Sequence, residues 1–237
     1  MGTLIVWAAI WGFLGAKIFD NLEHWDSFVK DPIGSLLSFS GLTFYGGLIC
    51  GGAAVLYIAR KNNIKVLHML DIGGPGMMLA YSVGRIGCHM SGDGDWGIAN
   101  LNAKPISWLP DWLWAYTYPN NVANEGNPIA GCVGRFCNEL PQPVYPTPIY
   151  EVIVCFILFL ILWKIRDRIK SPGMMFGIYL MLNGLERFFI ELIRVNTKYN
   201  VAGIHFTQAE LISSILFLSG LGLVLYSYKN KEKLANY

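Results

Sequence analysis

The stretch from Leu79 to Gly97, LAYSVGRIGCHMSGDGDWG, joins a cation to a run of glycines. It begins apolar and helix-like, sets Arg85 where such a helix should still be in lipid, and then turns to glycine and aspartate. An arginine at membrane depth is costly and faces a cavity or a partner rather than lipid. Gly84 and Gly87 flank Arg85 and let backbone or ligand approach closely. Gly92, Gly94 and Gly97 supply the freedom for a tight loop. A buried cation at the mouth of such a turn suits an anionic headgroup.

A second charged set lies in GLERFFIELIR, where Arg187, Glu191 and Arg194 are spaced four and three apart and share one helical face. Glu186 adjoins them and Asn183 lies one turn earlier. Two readings fit: a structural ladder of ion pairs, or Arg187 facing Arg85 across a cavity. Two bare arginines would repel, so the second reading calls for a bound phosphate between them.

Other residues carry chemistry with less definition. Tyr45 precedes Gly46 and Gly47, which would bring it close to a ligand, although a tyrosine at a helix end is also an interface anchor. Tyr150 and Glu151, after two prolines, share that ambiguity. His89, after Arg85, can move a proton near neutral pH or simply be hydrated. Asp93 and Asp95 suit turn hydrogen bonding or pairing with arginine, since no further oxygen ligands are spaced as a metal loop requires. Cys50 and Cys155 lie in apolar runs and read as packing residues. Cys132 and Cys137, in a polar loop, can pair in an oxidising space.

These residues need a membrane frame. Of 237 residues, 54% are hydrophobic and 14% charged, well below the roughly 25% charged of soluble domains. The net charge of +2 gives no argument for nucleic acid. The pattern predicts an all-α integral membrane protein, a single membrane domain over 1–237 with about six spans: 3–20, 42–61, 66–87, 145–163, 172–194 and 207–226. The first reads as a membrane helix rather than a cleaved signal peptide. Gly73-Gly74-Pro75-Gly76 should interrupt the third. Gly46-Gly47 and Gly51-Gly52 make a small-residue packing face. Residues 88–146 form the one long polar region, with Trp108, Trp112 and Trp114 as an interfacial belt on an arm, and 195–206 reads as a loop.

Basic residues fix the orientation. The connections after the second, fourth and sixth helices carry Arg60, Lys61, Lys65, Lys164, Arg166, Arg168, Lys170, Lys229, Lys231 and Lys233. The alternate connections carry little beyond Lys30, Lys104, Arg135 and Lys198. Both termini are therefore expected in the cytoplasm, with 88–146 outside and Arg85 near the outer leaflet.

In order, GLTFYGGLI, GRIGCHMSGDGDWG, YPTPIYE, GLERFFIELIR and FTQAEL resemble the motifs of the bacterial phosphatidylglycerol–prolipoprotein diacylglyceryl transferases, in a Bacteroidetes-like variant. The resemblance covers nearly the whole chain. It implies transfer of the sn-1,2-diacylglyceryl group of phosphatidylglycerol to the lipobox cysteine of a prolipoprotein signal peptide, releasing glycerol phosphate. It implies a bacterial inner-membrane enzyme without cofactor or metal. The family has seven helices and an outside N-terminus, so this chain reads as if the first helix were missing.

By resemblance, Arg85 and Arg187 are the two essential arginines, Gly97 closes the first signature, and Glu191 and Arg194 match its second. Catalytic roles then fall to Arg85, Arg187, Tyr45 and His89, and substrate binding to Gly46, Gly47, Gly84, Asp93, Gly97, Tyr150, Glu191 and Arg194. This sequence departs at Tyr45, where the family has histidine, at Cys88 for asparagine, and at Ser91-Gly92-Asp93 for NGE, which leaves the general base unassigned. A small anion transporter, which also wants a broken helix and buried arginines, and an inactive lipid-binding relative, suggested by the departures at Tyr45 and Cys88 and the missing helix, are the alternatives; no inverted repeat supports a transporter.

Overall fold

The computed structural model describes residues 2–38, 43–195, 198–201 and 204–231, and is mostly helical. Two compact units emerge, residues 1–69 and 70–237.

In the first unit, α1 (Gly2–Glu23) packs on α4 (Phe44–Lys61), with short α2 (Trp25–Lys30) and α3 (Pro32–Leu37) between them in sequence. Glycines decide the α1–α4 contact. A Cβ on Gly47 would stand 3.3 Å from the Gly12 carbonyl oxygen, and one on Gly51 3.3 Å from that of Ala8. Gly46 meets the Gly15 backbone in the same way, whereas Gly52 faces open space. The small-residue face is thus narrower than the sequence suggested. Asp31 caps α3, its Oδ1 accepting from Gly34 N at 2.9 Å, with Pro32 at the first helical position.

The second unit carries all but the first turn of α5 (Val66–Ser91), with α6 (Asp111–Trp114), α7 (Thr147–Ile165), α8 (Met174–Glu191) and α9 (Gln208–Lys229). Met78, Cys155, Leu162 and Met175 form the buried core of α5, α7 and α8. Between α8 and α9 glycine again sets the distance: a Cβ on Gly220 would stand 2.6 Å from Gly177 O, and one on Gly184 2.7 Å from Ser213 O. Asp71 of α5 caps α8 from outside, accepting from Gly173 N at 2.6 Å and Phe176 N at 2.8 Å. A Thr207–Glu210 capping box starts α9.

Three expectations change. The glycine–proline run does not break its helix: α5 is continuous from Val66 to Ser91 with Pro75 inside. One proline forfeits one backbone bond, and Gly74 offsets the local weakness by close packing, a Cβ there lying 3.3 Å from Tyr179 Cβ. The loop expected at 195–206 holds instead an antiparallel pair, β3 (Lys198–Val201) with β4 (Ile204–Thr207). Finally, six long helices form close to the expected positions, yet only three of the described helices are long and apolar enough to span: Ile5–Glu23, Thr147–Ile165 and Gln208–Lys229. The other three, α4, α5 and α8, carry the glycines and the charges, including Arg85 and Arg187, that lower their hydropathy.

The long polar segment has a core of its own, built from Trp96, Tyr118, Leu140 and Val144. Buried Asn121 organises it, its Nδ2 donating to the carbonyls of Tyr118, Glu125 and Asn138 and its Oδ1 accepting from Glu125 N. A two-residue ladder, β1 (Asn127–Pro128) with β2 (Asn138–Glu139), closes a loop in which Cys132 and Cys137 are joined by a disulfide. The tryptophan arm is only the single turn of α6, with Trp108 and Trp112 exposed.

Candidate functional site

Helix α5 delivers Arg85 near its end, and the chain then reverses sharply. Gly92 and Gly94 take positive φ, at 62° and 99°, a conformation that side chains with a Cβ rarely adopt. The reversal returns Asp95 to Arg85 Nη1. Thr147 Oγ1 donates to the Asp95 carbonyl at 2.6 Å, holding the loop to the start of α7.

Gly97 then lets two strands of chain close on it. Its N–H donates to Tyr145 O at 2.8 Å, Ile98 N donates to Ile193 O at 2.9 Å, and Gly97 pairs with Arg194 in an isolated bridge. A Cβ at position 97 would stand 2.7 Å from Ile193 O. This bridge brings Arg194 Nη2 onto Asp95 Oδ1. One carboxylate therefore joins two arginines.

Glu151, fully buried in the first turns of α7, is the centre of the cluster. Its Oε2 lies 2.7 Å from Arg85 Nε and 3.8 Å from Arg187 Nη1, and its Oε1 lies 3.9 Å from Arg194 Nη1. Tyr81, one turn before Arg85, donates to Glu151 Oε2 at 2.5 Å and accepts from Arg85 Nη2 at 2.9 Å. Arg187 Nη2 is 3.5 Å from Glu191 Oε2. Three guanidiniums thus converge on Asp95, Glu151 and Glu191. The two arginines expected to be bare are already neutralised by carboxylates; an arriving phosphate would compete with these rather than fill a gap. The ion-pair reading of the α8 charges describes this arrangement; in place of a phosphate between Arg85 and Arg187 stands the Glu151 carboxylate.

The electrostatics follow. Burial alone would raise the Asp95 carboxyl, but Arg194 and Arg85 outweigh it and hold the group below the usual carboxylate range. Tyr118 is pushed up, chiefly by burial, and stays a neutral phenol. Cys88 Sγ and carboxylate oxygens of Asp93 and Asp95 lie within 4.8 Å of one another. With Asp95 held by two arginines, their positive charge opposes a metal cation there.

The remaining candidates are dispersed. His89 points into aromatics, its Nδ1 3.1 Å from Tyr118 Oη and its ring 5.5–6.1 Å from those of Tyr118, Tyr116 and Trp112. Asp93 is exposed and accepts from Asp95 N at 3.3 Å, the turn role. The Tyr150 hydroxyl is buried. A Cβ on Gly84 would meet nothing within 4 Å among the described residues, so no neighbouring element of those packs against it. Gly46 and Gly47 serve the α1–α4 contact. The Tyr45 side chain lies outside the described residues. Sequence reasoning missed Tyr81, although a hydroxyl-bearing aromatic four residues before a membrane arginine was a usable sign.

The family model for prolipoprotein diacylglyceryl transferase matches residues 1–226. The chain belongs to that family. A phosphatidylglycerol–prolipoprotein diacylglyceryl transferase of Chlorobaculum tepidum is 24% identical across 98% of this chain and 75% of its own length. Those of Staphylococcus carnosus and Finegoldia magna are 27% and 28% identical, covering 94% and 96% of this chain and 73% and 78% of theirs. Arg85, Asp95, Glu151, Arg187 and Arg194 of this diacylglyceryl transferase family member thus meet in one cluster although they come from separate motifs.

Proposed function

We propose that this protein moves the sn-1,2-diacylglyceryl group of phosphatidylglycerol onto the lipobox cysteine of a prolipoprotein signal peptide. The observation that carries this reading is the convergence of Arg85, Arg187 and Arg194 on one buried carboxylate, within a chain matched by the family over nearly its whole length. The thiol sulfur attacks the glyceryl carbon esterified to phosphate. A C–S bond forms, the C–O bond breaks, and its electron pair leaves on glycerol phosphate. The phosphodiester becomes a monoester with one more negative charge, which guanidiniums stabilise as it grows. They also favour thiolate over thiol.

Arg85 and Arg187 are assigned to the phosphate, with Glu191 holding Arg187 and Arg194 sharing Asp95 and Glu151 with Arg85. Gly84, Asp93 and Tyr150 border the substrates, and His89 accepts the thiol proton. The enzyme sits in the bacterial cytoplasmic membrane as one domain of about six spans, both termini cytoplasmic. Helices α4, α5 and α8 span with their polar faces turned from lipid. Phosphatidylglycerol, prolipoprotein signal peptides and surrounding lipid are the partners. Purified protein given phosphatidylglycerol and a lipobox peptide should yield a diacylglyceryl thioether by mass spectrometry; unmodified peptide would refute the reading.

A further inference from the structure

An arginine facing a buried carboxylate normally closes a two-pronged pair, Nε and one Nη donating to both oxygens. Arg85 and Glu151 do not. Nε lies 2.7 Å from Oε2, but Nη2, the other prong, donates to Tyr81 Oη at 2.9 Å. The same hydroxyl donates to Oε2 at 2.5 Å. A phenol oxygen has one proton to give and lone pairs to accept with, so it can stand between the two charges and serve both. The Tyr81 ring also lies against the guanidinium, its centroid 4.9 Å from Arg85 Cζ. Tyr81 and Arg85 are one turn apart on α5, so the helix fixes the arrangement.

Resting on the transferase reading, we propose that Tyr81 is a positioning residue that keeps Arg85 Nη2 from closing onto Glu151, so that this edge of the guanidinium stays available to the lipid phosphate while Nη1 is held by Asp95. A closed pair would have to be broken by every incoming headgroup. Tyr81→Phe keeps the ring and deletes the hydroxyl. Nη2 can then swing to Oε1, and the headgroup meets a stronger competitor. The peptide side of the reaction is untouched by this change.

Two-substrate kinetics on wild type and Tyr81→Phe in the same detergent test this. The apparent KM for phosphatidylglycerol should rise by roughly tenfold, the worth of about one hydrogen bond, with the peptide KM and the melting temperature unmoved. A lipid KM within about twofold of wild type, or a parallel rise for both substrates with a lower melting temperature, overturns the proposal. If wild type shows no turnover the transferase reading falls, and native mass spectrometry decides the Tyr81 question. Phosphatidylglycerol retained by wild type and lost more readily by Tyr81→Phe supports the role. Equal retention, or none by wild type, overturns it.

Discussion

Arg85 Nε and Glu151 Oε2 lie 2.7 Å apart, joining α5 to α7 through a carboxylate that solvent does not reach. Glu151 thereby fixes where Arg85 sits. It also answers Arg187 and Arg194, at 3.8 and 3.9 Å. Low-dielectric surroundings make each of these charges depend on the others.

Glu151→Gln should therefore do more than lower activity. Removing one partner of a buried ionic cluster typically costs about 3–5 kcal/mol. Thermal unfolding in detergent should show a melting temperature lowered by several degrees, and a transfer assay almost no product.

Arg85→Ala should abolish transfer while leaving protein in the membrane. Loss of a buried phosphate partner costs about 2–5 kcal/mol, which lowers turnover by roughly 30-fold to several thousandfold. Arg85→Lys should recover little, because an ammonium cannot reach Asp95, Glu151 and Tyr81 together as the planar fork does. Initial rates at saturating lipid check both variants.

Gly97→Ala places a methyl 2.7 Å from Ile193 O and 2.9 Å from Tyr145 Cβ. Backbone on one side cannot yield as a flexible side chain would, so the bridge to Arg194 must open, at about 1–3 kcal/mol. Transfer should fall about fivefold or more; wild-type rates would show that the bridge does not position Arg194.

Asp95 fixes a pH dependence. Its folded carboxyl is depressed by Arg194 and Arg85 against the opposing effect of burial, so its contribution is complete above the unfolded value of about 3.9 and fades as pH falls through the lower folded one. Asp95→Asn should lose the same melting temperature at every pH from 5 to 8. Below about pH 4 the gap to wild type should narrow, as the unfolded carboxyl takes up its proton first and the native one only at lower pH. A gap that closes already at pH 6 would contradict the double arginine clamp.

The long apolar runs made the helices legible, and the Arg187–Glu191 pair followed from spacing, but α8 ends at Glu191 and Arg194 reaches the cluster from beyond it, through its bridge to Gly97. Pro75 misled because local propensity favours a break, whereas packing at Gly74 holds α5 together. The β3–β4 pair carried a usable sign, alternating residues on either side of Ala-Gly, that was passed over for a loop. Pairing of Asp95 with arginine was foreseeable, but the hub role of Glu151 was not. It exists only once α5, α7 and α8 have packed, and a lone glutamate at the head of an apolar helix does not name its partners. The bare pair of arginines failed for the same reason.

In the proposed reaction the arginine cluster stabilises glycerol phosphate as it leaves phosphatidylglycerol for a thiol. The most direct measurement is the release of glycerol phosphate from headgroup-labelled phosphatidylglycerol by purified protein, followed with and without a lipobox peptide. Release that needs the peptide cysteine, matches thioether one for one and vanishes in Arg85→Ala is the predicted result. Release without peptide, or thioether formed equally well by Arg85→Ala, would contradict it.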